Sequence, residues 1–367
     1  MIVSVIEPVG GHGGMDYYDY GLAFGLAEND IRVDFYTCSK TKIRSFKGVN
    51  TLYTFKNFWD KSIILKISLF FLYFLKTIFE IRKRNSKLVH LHYFSFSLHN
   101  FISLLLLKVF RLSVVVTIHD IDSFHGKSFK FIEKLSYNLI NGVIVHNKES
   151  YDSLIIKSYK LPHISVIPHG NYRPFVNQLP LSTEKQVINL LFFGQIKEVK
   201  GLDILLRAFA KVVKQSDNYR LVIAGKPWKT GLDYYQNLIE DLNIGNKVET
   251  HFRYIKNSEV ESFYASSDIL ILPYKRIYQS GVLLMSMSMG RSVIASNLRA
   301  FKEIVEDGVN GFLFDSEDID SLATKILALD RKKLDLVTNN CIKTMDGKFD
   351  WVNIGRQTKN FYKKVFK

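Results

Sequence analysis

Short apolar runs alternate with helix-length amphipathic stretches along most of the chain, and this alternation is the strongest constraint on its fold. In the first half the apolar runs lie at residues 2–7, 31–36, 88–92, 113–118, 142–146 and 164–167. Strands that alternate with helices across short connections form a parallel, doubly wound sheet. Ligands of such sheets bind beyond the carboxyl ends of the strands, so we expect a site there.

The alternation stops once and then restarts. Pro168, Pro174 and Pro180, together with a polar run, precede a new strand at 187–193, which indicates a linker at about 170–187. A chain of 367 residues exceeds one typical core. We therefore predict an α/β fold with two similar Rossmann-like domains, both facing a central cleft, and a closing C-terminal helix. The predicted boundaries are 1–172, 187–348 and 349–367.

Charge is concentrated in one segment. Between residues 40 and 90, twelve Lys and Arg stand against two acidic residues, a difference of +10 out of a net +15 for the chain. This segment holds a helix-length stretch at 62–84 that is mainly Leu, Ile and Phe. At helical spacing seven of its polar residues fall within an arc of roughly 100°; they are Ser62, Lys66, Tyr73, Lys76, Thr77, Glu80 and Arg84.

This stretch allows two interpretations. Two lysines and a glutamate inside it argue against a membrane-spanning helix. A basic amphipathic helix suits adsorption to an anionic membrane surface. The alternative is a helix buried within its domain, with the polar stripe in water.

The cysteines and the N-terminus suggest a reducing compartment. Cys38 and Cys341 form neither a disulfide framework nor a C-x-x-C pair. The first residues, MIVSVIEP, are interrupted by Glu7 and Pro8 and lack a basic region. They predict a first strand and not a signal peptide.

A glycine-rich loop follows the first strand, at 10–14. It does not fit a dinucleotide fingerprint, because Asp16 stands where the third glycine would fall, and no Walker lysine follows. Glycines here would let a substrate approach the backbone, with Asp16 and Tyr17 at its edge. A plain flexible turn is the alternative.

Two further strand ends carry candidate chemistry. The run VVVTIHD places His119 and Asp120 at a strand end, where a histidine could bind a sugar or a developing charge, although a structural histidine is the alternative. The run LLFFGQIKEVKG places Lys197 and Lys200 beside a helix start. Lysines so placed could neutralise a diphosphate leaving group, or could simply be solvated.

A third such element runs from 273 to 314. A buried strand at 268–272 leads into Ser280-Gly281, then into an apolar helix ending at Met289, with Gly290 as its C-terminal cap. Free N–H groups at a helix start favour a diphosphate, so this element predicts an anion cradle. An ordinary strand–helix turn is the alternative.

These motifs together resemble the GT-B-fold, retaining nucleotide-sugar glycosyltransferases of family 4. FFGQIKEVKGLDILLRAF resembles that family's Lys-Gly loop, LVIAGKP its Ala-Gly turn, and SSDILILPY, GRSVIAS and KEIVEDGVNGFLF its nucleotide and diphosphate region. VIPHGNY resembles its interdomain hinge, and FDWVNIGRQTKNFYKKV resembles the closing helix that crosses back to the first domain. The likeness spans nearly the whole chain and is most specific at 192–314.

The chain departs from the family pattern at three positions. Gln195 stands where the family has an arginine, which leaves Lys197 as its substitute and Lys200 as the retained lysine. Ile277 and Met285 stand where the family has paired glutamates. Glu303 matches a further acidic position of the family and is expected to replace part of that pair.

The resemblance implies roles for individual residues. Lys200, Lys197 and His119 are expected to be catalytic, with His119 contacting the donor sugar. The donor-binding residues it implies are Gly13, Gly14, Gly194, Gln195, Gly225, Arg253, Tyr254, Ile255, Ser280, Gly281, Val282 and Glu303. The acceptor is expected to meet the first domain, at His12, Asp16 and Tyr17.

The expected function is that of a retaining, hexosyltransferase-type glycosyltransferase. It would move a sugar from a UDP- or GDP-linked donor to a lipid-linked or saccharide acceptor, in polysaccharide or glycolipid assembly. No cofactor and no metal are expected, and the expected location is cytoplasmic, peripheral on the inner face of the plasma membrane. A soluble transferase with a small acceptor, and a non-catalytic GT-B scaffold or activator, are the alternatives; no motif supports nucleic-acid binding.

Overall fold

The computed structural model describes residues 1–11, 13–56, 61–121, 130–157, 163–179, 187–228 and 231–366. The chain divides into two compact units. Unit 1 comprises residues 1–170 together with 349–367, and unit 2 comprises residues 171–348. Each unit contains one sheet, so the predicted α/β class with two doubly wound sheets is confirmed.

Unit 1 contains a seven-stranded sheet in the order β3-β2-β1-β4-β5-β6-β7. Its strands are β1 (Ile2–Glu7), β2 (Arg32–Cys38), β3 (Val49–Phe55), β4 (Leu88–Tyr93), β5 (Ser113–Ile118), β6 (Gly142–Val145) and β7 (His163–Val166). Its helices are α1 (Gly13–Ala27), α2 (Ile63–Lys83), α3 (Leu98–Val109), α4 (Lys130–Tyr137), α5 (Lys148–Ile156) and, at the end of the chain, α13 (Trp351–Val365). Every strand pair is parallel. The strand order reverses at β1, and the glycine loop at 10–11 leaves from this point.

Unit 2 contains a six-stranded parallel sheet in the order β10-β9-β8-β11-β12-β13. Its strands are β8 (Ile188–Phe193), β9 (Tyr219–Ala224), β10 (Val248–His251), β11 (Ile269–Leu272), β12 (Ser292–Ser296) and β13 (Phe312–Phe314). Its helices are α6 (Leu202–Val213), α7 (Leu232–Asp241), α8 (Asn257–Ser266), α9 (Gly281–Ser288), α10 (Arg299–Lys302), α11 (Ile319–Leu327) and α12 (Arg331–Gly347). Here the order reverses at β8, directly before Gly194.

The orientation of α2 differs from what a buried amphipathic helix would show. Thr77, expected on a polar stripe in water, is fully buried, and its hydroxyl oxygen lies 2.8 Å from both the Thr54 hydroxyl and the Tyr73 carbonyl. Arg84 pairs with Glu80 at 2.9 Å and approaches the buried Asp34 at 3.5 Å. Within the C-terminal half of the stripe Thr77 therefore faces the sheet, whereas Lys76 is exposed and Arg84 is half-buried. The alternative of a polar stripe that lies wholly in water does not hold at Thr77.

Apolar side chains of α2 lie on both sides of the helix, because Phe74, Ile78 and Ile81 are buried while others face solvent. Ile63 and Ile64 are 74% and 77% exposed, and Phe79 is 61% exposed. The neighbouring helix α3 adds exposed apolar side chains, of which Val109 is 67% exposed. Among the described helices, none combines the length and apolar content that a bilayer crossing requires.

Candidate functional site

Two residues predicted to bind the donor, Gly194 and Val282, and one predicted to be catalytic, Lys200, converge in unit 2. Gly194 follows β8 with a left-handed φ of 106°. A Cβ placed on Gly194 would lie 3.4 Å from Val282 Cγ2 and 3.5 Å from Lys200 Nζ. The lysine ammonium, the glycine backbone and the first turn of α9 therefore surround one place, which a side chain at position 194 would fill.

Two other glycines hold these loops together by close backbone contact. A Cβ on Gly225 would lie only 1.9 Å from the Gly194 carbonyl oxygen, and a Cβ on Gly201 would lie 1.9 Å from that of Pro273. Gly201 also has a left-handed φ of 65°. Only glycine fits such approaches, since a Cβ needs well over 3 Å from an oxygen.

Lys200 is held by an aromatic ring. Its ammonium lies 5.0 Å from the centroid of the Tyr274 ring, within the range of a cation–π interaction. The Tyr274 ring is buried and contacts the Phe301 ring at 5.5 Å. The ammonium thus lies against a buried ring, and the Lys200 residue is half-buried.

The N-terminus of α9 is capped by a side chain, and the Tyr172 hydroxyl would lie 2.9 Å from a Cβ on Gly281. Ser280 Oγ accepts a hydrogen bond from the N–H of Leu283 at 3.2 Å. Helix geometry leaves the N–H groups of Gly281 and Val282 without intrahelical acceptors. The predicted helix is confirmed, and Gly290 adopts a left-handed φ of 75° after it. This first turn is suited to an anion.

The loop at 253–255, which the family resemblance predicts to bind the donor, contains side chains in different environments. Arg253 forms a two-pronged ion pair with Glu259, with one N–O distance of 3.0 Å, and this pair lowers the Glu259 pKa to about 2. Ile255 is buried, whereas Tyr254 is 70% exposed. Tyr254 is therefore available to a ligand, and the donor contacts of this loop stay predictions.

The other predicted donor residues of unit 2 lie elsewhere on these loops. Gln195 is exposed. The Lys197 ammonium lies 6.0 Å from the Trp228 ring centroid. Glu303 ends α10, and its carbonyl accepts a hydrogen bond from Lys348 Nζ at 2.7 Å. Their donor contacts stay predictions.

The glycine loop of unit 1 is shaped by Asp16. This buried carboxylate accepts hydrogen bonds from the Gly11 N–H at 2.9 Å and from the Thr41 hydroxyl at 3.1 Å. Gly11 has a left-handed φ of 88°, which favours glycine there. Gly13 and Gly14 begin α1, and a Cβ on Gly14 would meet nothing within 4 Å.

The two other residues predicted to bind the acceptor are Tyr17 and His12. Tyr17 is half-buried, and burial together with the Asp16 charge raises its pKa. His12 lies outside the described residues. The role of Asp16 that the structure shows is to shape the loop, and the acceptor contacts of Asp16, Tyr17 and His12 stay predictions.

Glu7, at the end of β1, is a titratable group that sequence reasoning did not identify as special. Burial, and to a lesser extent the Asp16 charge, raises the Glu7 pKa from 4.5 to about 7, although the Val9 N–H donates to its carboxylate at 3.0 Å. The signal in the sequence was a glutamate that ends an otherwise apolar strand directly before the glycine loop.

We expect Glu7→Gln to stabilise the fold at pH 8 and to change little at pH 5. The pKa of Glu7 is higher in the folded than in the unfolded chain, so its contribution to the free energy of unfolding falls as pH rises from 4.5 to about 7. The amide is neutral at both pH values and can still accept from Val9. Urea titrations at pH 5 and pH 8 measure the difference, with the exposed Glu28→Gln as control. Equal effects at both pH values would contradict a raised pKa.

His119 belongs to a buried cluster of histidines at the carboxyl ends of the strands of unit 1. The five members are His90, His92, His119, His146 and His169. The Tyr18 ring lies at the centre, with centroid distances of 4.9 Å to both His119 and His169 and 5.4 Å to His146. Sequence reasoning found only His119, although LVHLHY and VIVHN also place histidines at strand ends.

All five imidazoles of this cluster are neutral near pH 7. Burial lowers the pKa of His90 and His146 to about 3 and that of His169 to about 4, and it also lowers the pKa of His92 and His119 well below their usual range. His92 Nε2 lies 3.3 Å from Asp19 Oδ1, and burial raises the pKa of that carboxyl well above its usual range. No group of three or more His, Cys, Asp or Glu within the described ranges is arranged to hold a metal ion.

Family comparisons match both units. The family described as Glycosyltransferase Family 4 matches residues 12–170, and the family described as Glycosyl transferases group 1 matches residues 188–331. The chain belongs to the glycosyltransferase family 4 enzymes of GT-B fold. The resemblance predicted from the sequence motifs is thereby confirmed.

Individual relatives match only about half of the chain, at sequence identities below 30%. An uncharacterized glycosyltransferase of Methanocaldococcus jannaschii is 29% identical over 47% of this chain and 44% of its own length. A lipopolysaccharide 1,2-N-acetylglucosaminetransferase of Salmonella typhimurium is 25% identical over 55% of this chain and 58% of its own length. The match thus spans less than two thirds of either relative.

Solved structures support the fold over the full length. The crystal structure of Anabaena HepE in complex with UDP has a TM-score of 0.73 and 18% identity, and the match covers 99% of both chains. At this level of identity the likeness is one of fold.

Proposed function

We propose that this glycosyltransferase moves a sugar from a UDP- or GDP-linked donor to a lipid-linked or saccharide acceptor, with retention of configuration. The observation that carries the proposal is the convergence of Lys200, Gly194 and the first turn of α9 in unit 2. Retention is proposed on the family resemblance, and the anomeric proton couplings of the product test it.

The proposed reaction depends on stabilisation of the negative charge of the leaving group. The bond between the anomeric carbon and the diphosphate oxygen breaks, and negative charge accumulates on the departing nucleoside diphosphate. The Lys200 ammonium and the N–H groups of Gly281 and Val282 are placed to stabilise that charge. The acceptor hydroxyl oxygen forms the new bond to the anomeric carbon, and its proton leaves with the diphosphate.

The nature of the donor is supported by chemistry and by a relative. A cation beside a glycine backbone and a helix N-terminus suits a diphosphate. Tyr254 offers an exposed aromatic ring for a base. Anabaena HepE, which shares the fold, was crystallised with UDP. Lys197 and Glu303 are proposed to complete the donor contacts in place of the family's arginine and glutamates.

The test of this proposal is calorimetric binding of UDP, GDP and ADP, and of their sugars, to the purified protein. We expect selective binding of one nucleoside diphosphate, and release of that nucleotide from its sugar when an acceptor is supplied. Binding without transfer to any lipid-linked or saccharide acceptor would favour a non-catalytic scaffold. The reason to consider a scaffold is that Ile277 and Met285 stand where the family has its paired glutamates. A folded protein that bound none of the nucleotides would overturn the proposal.

An acceptor at a membrane surface is supported by the exposed face of α2 and α3. Exposed apolar side chains and exposed cations occur together on these two helices. The Phe79 and Phe110 rings contact each other there, with their centroids 5.4 Å apart. The exposed apolar residues are Ile63, Ile64, Leu65, Ile67, Leu72, Phe79, Leu98, Leu105 and Val109. The exposed cations are Lys61, Lys76, Arg82, Lys83, Lys108 and Arg111. We propose that this face adsorbs to an anionic membrane, as a cytoplasmic, peripheral enzyme would.

We expect the protein to co-sediment with vesicles that contain phosphatidylglycerol and to release from them as salt is raised, because surface charge attraction is screened. The double variant Ile63→Asp, Ile64→Asp should bind them about tenfold less or worse, since it removes apolar area and adds repulsion. Leu336→Asp, at a 62% exposed apolar position of unit 2, is the matched control. Equal binding by both variants would exclude this face as the contact.

A further inference from the structure

A line of hydrogen bonds connects His119 to the backbone through a second histidine. His146 Nδ1 lies 3.0 Å from the carbonyl oxygen of Ile167. His146 Nε2 lies 3.2 Å from His119 Nδ1. Both histidines are buried and stand at the ends of adjacent strands, β6 and β5.

These contacts determine where the protons are. A carbonyl oxygen can only accept, so His146 Nδ1 carries a proton and donates it to Ile167. His146 is neutral, because burial lowers its pKa to about 3, and its Nε2 therefore has a lone pair. That lone pair accepts from His119, so the proton of His119 is on Nδ1.

His119 is left with an unprotonated Nε2. Burial also keeps this imidazole neutral by lowering its pKa well below the usual range. Its Nε2 is buried and has no hydrogen-bond partner among the described residues. A buried acceptor without a partner is costly, and a ligand hydroxyl that donates to it removes that cost. Phe94, which is 49% exposed, stacks on the face of the imidazole at 4.8 Å and leaves the in-plane direction of the Nε2 lone pair to a ligand.

We propose that His146 is a positioning residue that fixes His119 in the Nδ1–H tautomer, so that His119 Nε2 acts as a hydrogen-bond acceptor for a hydroxyl group of the donor sugar. The proposal rests on the proposed sugar transfer in one respect, the expectation from the family resemblance that His119 contacts the donor sugar. Free imidazole side chains are not restricted to this tautomer, so the chain needs a second group to select it.

The proposal has a consequence for specificity. A site that accepts a hydrogen bond from a substrate hydroxyl discriminates strongly against the analogue that lacks it, because the acceptor is then buried without a partner. We therefore expect a donor sugar with a free hydroxyl at the contacted carbon, and poor use of its deoxy analogue.

The primary experiment is ¹⁵N NMR of histidine side chains in the full-length protein without ligand. His119, assigned by its absence in His119→Gln, should show the Nδ1–H pattern. His146→Leu removes the acceptor, and His119 should then lose that pattern. His146→Gln should keep it, because the amide oxygen can accept from His119 while its NH₂ donates to Ile167. His169→Leu is the matched control, since it removes another buried histidine that contacts Tyr18.

Kinetics then connect the tautomer to the reaction. With the donor identified by calorimetry, kcat/KM should fall by about tenfold in His146→Leu and recover in His146→Gln. An Nε2–H pattern in the wild type, or an unchanged pattern in His146→Leu, would overturn the proposal. A changed tautomer with unchanged kcat/KM would overturn the link to catalysis. Failure to bind any nucleotide sugar would count against the proposed function alone, since the NMR result needs no ligand.

Discussion

Replacement of Lys200 by alanine should lower turnover by about 10²- to 10³-fold and leave the fold intact. The ammonium lies 3.5 Å from the position of a Cβ on Gly194, beside the first turn of α9, where the departing diphosphate is proposed to bind. Removal of one preorganised group that stabilises developing charge has an effect of this size. The side chain is half-exposed and its main partner is the face of the Tyr274 ring, so the loss of packing is small.

Two variants make this result specific. Lys214→Ala removes an exposed lysine at the opposite end of α6 and should retain full activity. Lys200→Arg keeps the charge but changes its shape, and should recover part of the turnover. Nucleotide release measures kcat, and a thermal melt confirms folding. A Lys200→Ala enzyme with near-normal kcat would remove this residue from the mechanism.

The doubly wound architecture was predictable because buried parallel strands are continuous apolar runs, such as Leu270-Ile271-Leu272. The strands β3 and β13 and the helix α12 were not predicted. Strand β3 lies at the sheet edge and mixes Asn50 and Thr51 with apolar residues, so its pattern is weak. Helix α12 is mostly polar and buries only a narrow stripe that includes Leu334 and Cys341. Short or edge elements depend on tertiary contacts that periodicity does not report.

The candidate site was predictable where glycine marks it. Gly194, Gly201 and Gly225 stand in the sequence at the places where the structure shows close backbone approaches. Side-chain pairing was not predictable. Arg253 is held by Glu259, and Asp16 by the loop that it shapes. Such partners become visible only once the chain is folded, because neither spacing nor residue type selects one acceptor among many.

The orientation of α2 shows the same limit. The sequence gives the amphipathic arc but not which side of it meets the protein. Thr77 and Arg84 turn inward because Thr54 and Asp34 offer them partners. Phe74, Ile78 and Ile81 are buried beside Thr77, so the buried side of the helix reflects the polar partners that the unit offers as well as apolar content.

Gly25→Ala should lower the unfolding temperature by about 5 to 10 °C. A Cβ at Gly25 would lie 2.0 Å from the carbonyl oxygen of Trp351, where α13 packs on α1 within unit 1. Two helix backbones in contact cannot separate without losing the packing around Trp351, which is 1% exposed. Overpacking of this kind costs about 3 kcal/mol, which outweighs the gain of roughly 1 kcal/mol when alanine replaces glycine in a helix.

The matched control is Gly14→Ala, in the first turn of the same helix, where a Cβ meets nothing within 4 Å. It should melt at the wild-type temperature or slightly above, and a loss of donor affinity in this variant would report on ligand contact and not on folding.

Gly355→Ala tests the same contact from the side of α13, because a Cβ on Gly355 would lie 2.0 Å from the Gly25 carbonyl oxygen. Because both substitutions separate one pair of helices, the double variant should lose less stability than the sum of the single variants. A Gly25→Ala protein that melts like the wild type would show that α13 does not pack against α1 as described.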